Sequence, residues 1–292
     1  MEYMKKTAFC QYVCGKTEDS GEEALYLYLP TEGGYIRYSL IRSVVSAKQC
    51  NVWRMGPAFY CDDSLGSLTR LTREGAEWEM ALRLLDRPDF IGGVAHGDEI
   101  GTDAVCLIDG RECRIETLRQ PTLFSTLTVC VNSIGYDPSA PSEAVLRHSK
   151  RIVVNSDQIR VIQRVEWLSD VLLAQSYMAM MPPLKCVTDR YCVENGEYSP
   201  IPERSFKESG DFDRLTLRGE KGFVFSMQIP RYLTDQGKNT CLITDNGGNS
   251  YHKMYFILAH GGHASQGEVW ETETVYRIWK EESREGDGKE MM

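Results

Sequence analysis

Apolar and polar positions along this chain alternate with a period of two, the spacing at which side chains leave opposite faces of a β-strand. "EALYLYLP" alternates around residues 24 to 29. "EWEMALRL" sets Trp78, Met80, Leu82 and Leu84 on one face and Glu77, Glu79, Ala81 and Arg83 on the other. "STLTVCVNS" turns Leu127, Val129 and Val131 inward, and "GFVFSMQIP" does the same with Phe223, Phe225, Met227 and Ile229. Turn signals separate these runs: Asp109-Gly110, Asn155-Ser156-Asp157, and Gly219 to Gly222. Helical patterning is scarce. "DVLLAQSYMAMM" could pass for a turn or two of helix before Pro182-Pro183 stops it, although its aromatic and methionine content also suits a strand. Many short strands with polar turns predict an all-β fold, an antiparallel β-sandwich of jelly-roll type with few short helices. Residues 1–280 are expected to form one domain, and the polar residues 281–292 a disordered tail.

At 292 residues the chain can bury a sizeable core. Its net charge of −9 argues against a nucleic-acid partner, because phosphate binding needs a basic face. A local arginine cluster could still hold an anionic ligand. No apolar run approaches the ~18 residues of a membrane span, so no membrane partner is expected. The opening "MEYMKKTAFCQYVCGK" has no apolar core long enough for a secretory signal, and the ten cysteines form no paired framework. A cytoplasmic protein with reduced thiols is the expectation, a secreted or phage-borne one the alternative.

Candidate chemistry gathers in five places. In "DFIGGVAHGDE", His96 follows Gly92 and Gly93 and precedes Asp98 and Glu99, either of which could orient the imidazole. A loop histidine capping a turn is the plain alternative. Upstream, Glu79 and Arg83 share a strand face that would approach His96 if it lined a concave surface; an ordinary solvated face would look the same. In "SEAVLRHSKRIVV", Arg147, His148, Lys150 and Arg151 form the most cationic spot in an acidic chain, fit for a carboxylate or sulfate, or for a solvated edge strand. Trp167, Gln175 and Tyr177 lie among apolar residues, where aromatic rings can stack on sugars and a tyrosine can move protons. Asn249, Tyr251, His252 and Lys253 precede the run "MYFILA", and His260 and His263 form an HxxH pair with Glu268 beyond. The two glycines between that pair suit a turn better than a ligand platform, so no metal or other cofactor is expected.

The ending "KMYFILAHGGHASQGEVWETETVYRI", with its Lys-x-Tyr-Phe strand, glycine turn and closing strand, resembles the last strands of β-jelly-roll polysaccharide lyases. That resemblance implies a lyase cleaving uronic-acid-containing poly- or oligosaccharides by β-elimination. The chemistry needs a base for the C5 proton, an acid for the departing oxygen and a group masking the carboxylate. His96 and Tyr177, with Arg83 and His148 around them, are the candidates for catalysis. Glu79, Glu99, Arg151, Trp167, Gln175, Asn249, Tyr251 and His252 are the candidates for substrate binding. A non-catalytic glycan-binding or phage-fibre-type module is the first alternative. The second is a glycoside hydrolase using two carboxylates from Glu77, Glu79, Asp98, Glu99 and Glu268. Oligomeric state is left open.

Overall fold

The computed structural model describes residues 7–15, 23–46, 49–73, 78–92, 98–233, 239–244, 249–258 and 262–282. Among them, regular structure is strand, apart from short 3-10 turns such as Ile115–Thr117 and Lys185–Val187. The larger sheet runs Ser199–Pro200, Arg190–Val193, Arg214–Arg218, Phe223–Leu233, Val269–Lys280, Ile159–Trp167, Ala140–Val154, Leu127–Asp137, Glu99–Ile108, each strand antiparallel to the next. A parallel contact between Asn51 and Ile100 extends it through Cys50–Met55 to Gly34–Val45, Glu23–Thr31, Phe9–Cys14 and Thr122–Leu123. The smaller sheet runs Phe206–Gly210, Asn239–Thr244, His252–Ile257, Val171–Met181, Ala81–Leu84.

The period-two reading of the sequence fits this architecture. Leu127, Val129 and Val131 are buried, as are Phe223, Phe225, Met227 and Ile229, and Trp78, Met80, Leu82 and Leu84. One apolar core runs from Ala8 to Ile278 and takes side chains from both sheets. Large aromatics meet edge to face inside it: Trp167 on Trp270 at 5.1 Å, and Trp78 on Tyr276 at 5.2 Å. Each such side chain gains roughly 1.5–3 kcal/mol or more from leaving water. Asp109 and Gly110 both take positive φ (49° and 79°), the backbone of a tight hairpin turn, and the Asp109 carboxylate accepts from the amides of Ser125 and Thr126.

Of the stretch with helical ambiguity, residues 170–181, Val171–Met181 is a strand. Ala81–Leu84 and His252–Ile257 flank Val171–Met181 and supply its ladder hydrogen bonds. Register shifts between Leu173 and Gln175, and between Tyr177 and Ala179, break the alternation and make the apolar spacing look helical. All ten cysteines are free thiols. Residues 283–292 of the expected tail lie outside the described residues.

Candidate functional site

The Val171–Met181 strand sends Leu173, Met178, Ala179 and Met181 into the core, while Tyr177 belongs to the face turned away from it. Its neighbour His252–Ile257 does likewise: Met254 and Phe256 point in, Lys253 and Tyr255 do not. The result is a cleft of about 210 Å³, lined by Glu79, Ala81, Phe90, Tyr177, Met180, Lys253 and Tyr255. Tyr177 is stacked between Phe90 (6.0 Å, 21°) and Tyr255 (4.4 Å, 24°). With its ring engaged by these two neighbours, its hydroxyl is the part left for chemistry.

That hydroxyl ends a chain of oriented donors. Arg83 Nε donates to Gln175 Oε1 at 3.1 Å, and Gln175 Nε2 donates to the Tyr177 oxygen at 2.9 Å. The ladder explains the arrangement, since Gln175 pairs with Arg83 and Tyr177 with Ala81 across adjacent strands. Because the Tyr177 oxygen accepts from Gln175, its own hydrogen remains to be donated. Burial raises the Tyr177 phenol above its ordinary value, Cys241 adds to this and Arg83 opposes it, so it stays an O–H donor at neutral pH. Arg83 and Lys253 make no ion pair with a carboxylate among the described residues. Their other contacts are cation–π: Arg83 over Phe90 at 5.7 Å and Lys253 over Tyr251 at 5.7 Å.

Behind the cleft lies a second polar set, enclosed in the core. His148 Nδ1 meets Glu99 Oε1 at 2.8 Å, and Ser133 Oγ donates to the same oxygen. His148 Nε2 meets Gln163 Oε1 at 3.2 Å, and the orientation of that amide is fixed because Gln163 Nε2 donates to the Met178 carbonyl. Each ring nitrogen of His148 thus faces a side-chain oxygen. Burial alone would raise the Glu99 carboxyl. The charge and hydrogen bond of His148, with Lys150 and Ser133, outweigh that and hold it at about 2. Lys150 Nζ reaches Glu79 Oε1 at 3.3 Å, and that oxygen also accepts from the Met55 amide. Glu79 is thus the one residue of this set that also lines the cleft.

The cationic run 147–151 is therefore not one anion site. His148 and Lys150 are buried and neutralised by carboxylates, because strand alternation turns them inward, while Arg147 and Arg151 face out from the other side of the sheet. His148 does not join Tyr177, which belongs to the outer face of the smaller sheet. Glu99 is held by His148 in the core and is not among the residues that line this cleft. Trp167 is 1% exposed against Trp270, so its ring faces are closed to a ligand. His252 is buried, its Nδ1 accepting from the Thr244 hydroxyl at 2.7 Å, and burial first, then Lys185, lower its proton affinity to about 4. Tyr251 is buried under Arg73 at 4.7 Å, and Asn249 sits half-buried just before it. His263 is exposed on the short His263–Ala264 strand. His96, Glu77 and His260 lie outside the described residues.

Of the sequence candidates, the structure brings Arg83, Gln175, Tyr177 and Glu79 to one place. Phe90, Lys253 and Tyr255 were missed as site residues. The alternation in "KMYFI" carried the signal for two of them, because Lys253 and Tyr255 share the parity opposite to Met254 and Phe256.

No protein-family model matches the chain, and no curated protein matches its sequence. Among solved structures, it is similar to the galactosidase domain of an α-galactosidase–sucrose kinase, AgaSK. The TM-score is 0.51 at 8% identity, over 92% of this chain and 42% of that one. Heparinase III gives 0.47 at 10% identity, over 90% and 36%. The heparan sulfate lyase HepC of Pedobacter heparinus gives 0.41 at 9% identity, over 96% and 39%. The chain spans less than half the length of each, and the likeness to the galactosidase domain is one of all-β fold.

Proposed function

We propose that this chain is a carbohydrate-active protein that takes an acidic sugar ring at the Tyr177 cleft. The observation that carries the reading is the one-ended donor chain Arg83–Gln175–Tyr177, beside Lys253; neither cation has an ion pair with a carboxylate among the described residues. A sugar carboxylate or sulfate supplies the missing charge, and a ring or bridging oxygen accepts from the Tyr177 hydroxyl. The name of the neighbour at a TM-score of 0.51, a galactosidase domain, is in keeping with a carbohydrate ligand.

The reaction that suits this arrangement is β-elimination on a uronate. Arg83 and Lys253 mask the carboxylate and so acidify the C5 proton; a base takes that proton as the C4=C5 double bond forms. The C4–O bond breaks, and Tyr177 gives its hydrogen to the departing oxygen. We assign the base to His96, which follows Phe90 of the cleft wall by six positions. Binding without turnover is the second reading, favoured by the enclosure of His148 and His252 away from the cleft.

The test is near-UV absorbance together with calorimetric titration across a panel of uronate oligosaccharides. A rise that is lost in Tyr177→Phe and in His96→Ala supports the lyase. Binding heat without a rise, abolished by Lys253→Gln, supports the binding module. Neither heat nor rise across the panel overturns the reading.

A further inference from the structure

A second groove lies on the opposite side of the molecule, on the outer face of the larger sheet. It holds about 340 Å³, within the roughly 300–1,000 Å³ of small-molecule sites. Its floor is a cross-strand row, Cys192 beside Thr216 beside Ser226, alternating with the core residues Leu215, Leu217, Phe225 and Met227. The two hydroxyls face each other at 3.5 Å. Tyr198 and Trp279 border it with half-buried aromatic surface.

Arg214 decides the ligand class. Its guanidinium donates to Asn195 Oδ1 at 2.8 Å and to Gln228 Oε1 at 3.2 Å. Both partners are neutral, and no carboxylate pairs with it among the described residues. The other arginine of the groove, Arg277, is already paired with Asp157 at 3.0 Å and lies 5.6 Å from the Trp279 ring centroid. The groove's carboxylate, Glu194, turns its Oε1 to the Asp213 amide at 2.6 Å. Glu194 also takes a left-handed backbone (φ 55°), a conformation that costs a non-glycine residue and tends to persist at functional sites. A held guanidinium, paired hydroxyls and bordering aromatic rings match one chemistry: an acidic sugar, its carboxylate or sulfate on Arg214 and its ring against Trp279 or Tyr198.

We infer that this groove is a second binding site for acidic glycans, on the face of the sandwich remote from the cleft. It shares only the ligand class with the cleft reading and rests on its own residues.

The chain carries its own reporter. Of its five tryptophans, Trp53, Trp78, Trp167 and Trp270 are buried, and Trp279 alone is half-exposed. Acrylamide quenching of tryptophan fluorescence therefore reads the groove and not the cleft. A sulfated uronate hexasaccharide should protect Trp279 from acrylamide, equally in the wild-type protein and in the cleft double variant Tyr177→Phe/Lys253→Gln. Arg214→Gln should weaken that protection at least about tenfold, the loss expected for one charge-assisted contact. An uncharged glucose hexasaccharide should give none. Protection that survives in the cleft variant and falls with Arg214→Gln upholds the groove even if the cleft binds nothing. Absence of protection, its loss in the cleft variant alone, or equal protection by the neutral sugar would overturn the inference.

Discussion

The cleft and the buried set behind it are built from the same kinds of residue, and they differ in whether their hydrogen bonds close. In the core, His148, Glu99, Ser133 and Gln163 hand every donor to an acceptor of the protein, and Lys150 is answered by Glu79. At the cleft, the chain Arg83–Gln175–Tyr177 stops one hydrogen short, and Lys253 makes no ion pair with a carboxylate among the described residues. A closed network fixes the packing of two sheets; an open one has something left to give a ligand. Histidine beside glutamate, which reads as catalytic chemistry in a sequence, here serves the packing.

The largest expected effect tests the closed side. Glu99→Ala removes the buried carboxylate on which His148 and Ser133 converge, with Lys150 close enough to act on it, and should cost about 3–5 kcal/mol in denaturant unfolding. A loss below about 1 kcal/mol would mean that the His148–Glu99 pair does not hold the sheets. Acid should destabilise the fold in two stages, first at His252 and then at this set. His252 has a folded value of about 4 against 6.5, so the unfolded chain takes up its proton first, and stability falls as the pH drops from about 6.5 to 4. Glu99, at about 2 against 4.5, holds stability that is present above about pH 4.5 and is lost as the pH falls toward 2. Unfolding midpoints measured across pH should show both slopes, and His252→Gln should abolish the upper one.

The open side should behave in the opposite manner. Tyr177→Phe removes one half-buried hydroxyl, so stability should change by only about 1 kcal/mol while ligand binding or turnover is lost. Smallest of all, Lys253→Gln should leave the unfolding midpoint within about 0.5 kcal/mol, yet weaken acidic ligands and flatten their salt dependence. If either cleft substitution destabilised the protein as much as Glu99→Ala, the distinction between the two regions would fail.

Much of the fold was legible because alternation is local. Trp78, Leu82, Val129 and Phe225 announce their faces through neighbours two positions away. The Val171–Met181 strand was harder, because its two register shifts are imposed by partners about 80 to 90 residues distant along the chain. His148 and Lys150 share parity with Leu146 and Ile152 and are buried with them; read as a run of charges instead, the stretch looked like a surface site.

The sequence by itself determined that this chain folds as strands, which residues share a side of each, and where the tight turns fall. Those properties follow from backbone geometry over two to four residues. Only the tertiary structure decided that Glu79 and Glu99 neutralise Lys150 and His148, that Trp167 is closed off by Trp270, and that Phe90, Tyr177 and Tyr255 stack into one cleft. Those groups are far apart in the chain, and the free energy of a charge or a ring depends on what surrounds it.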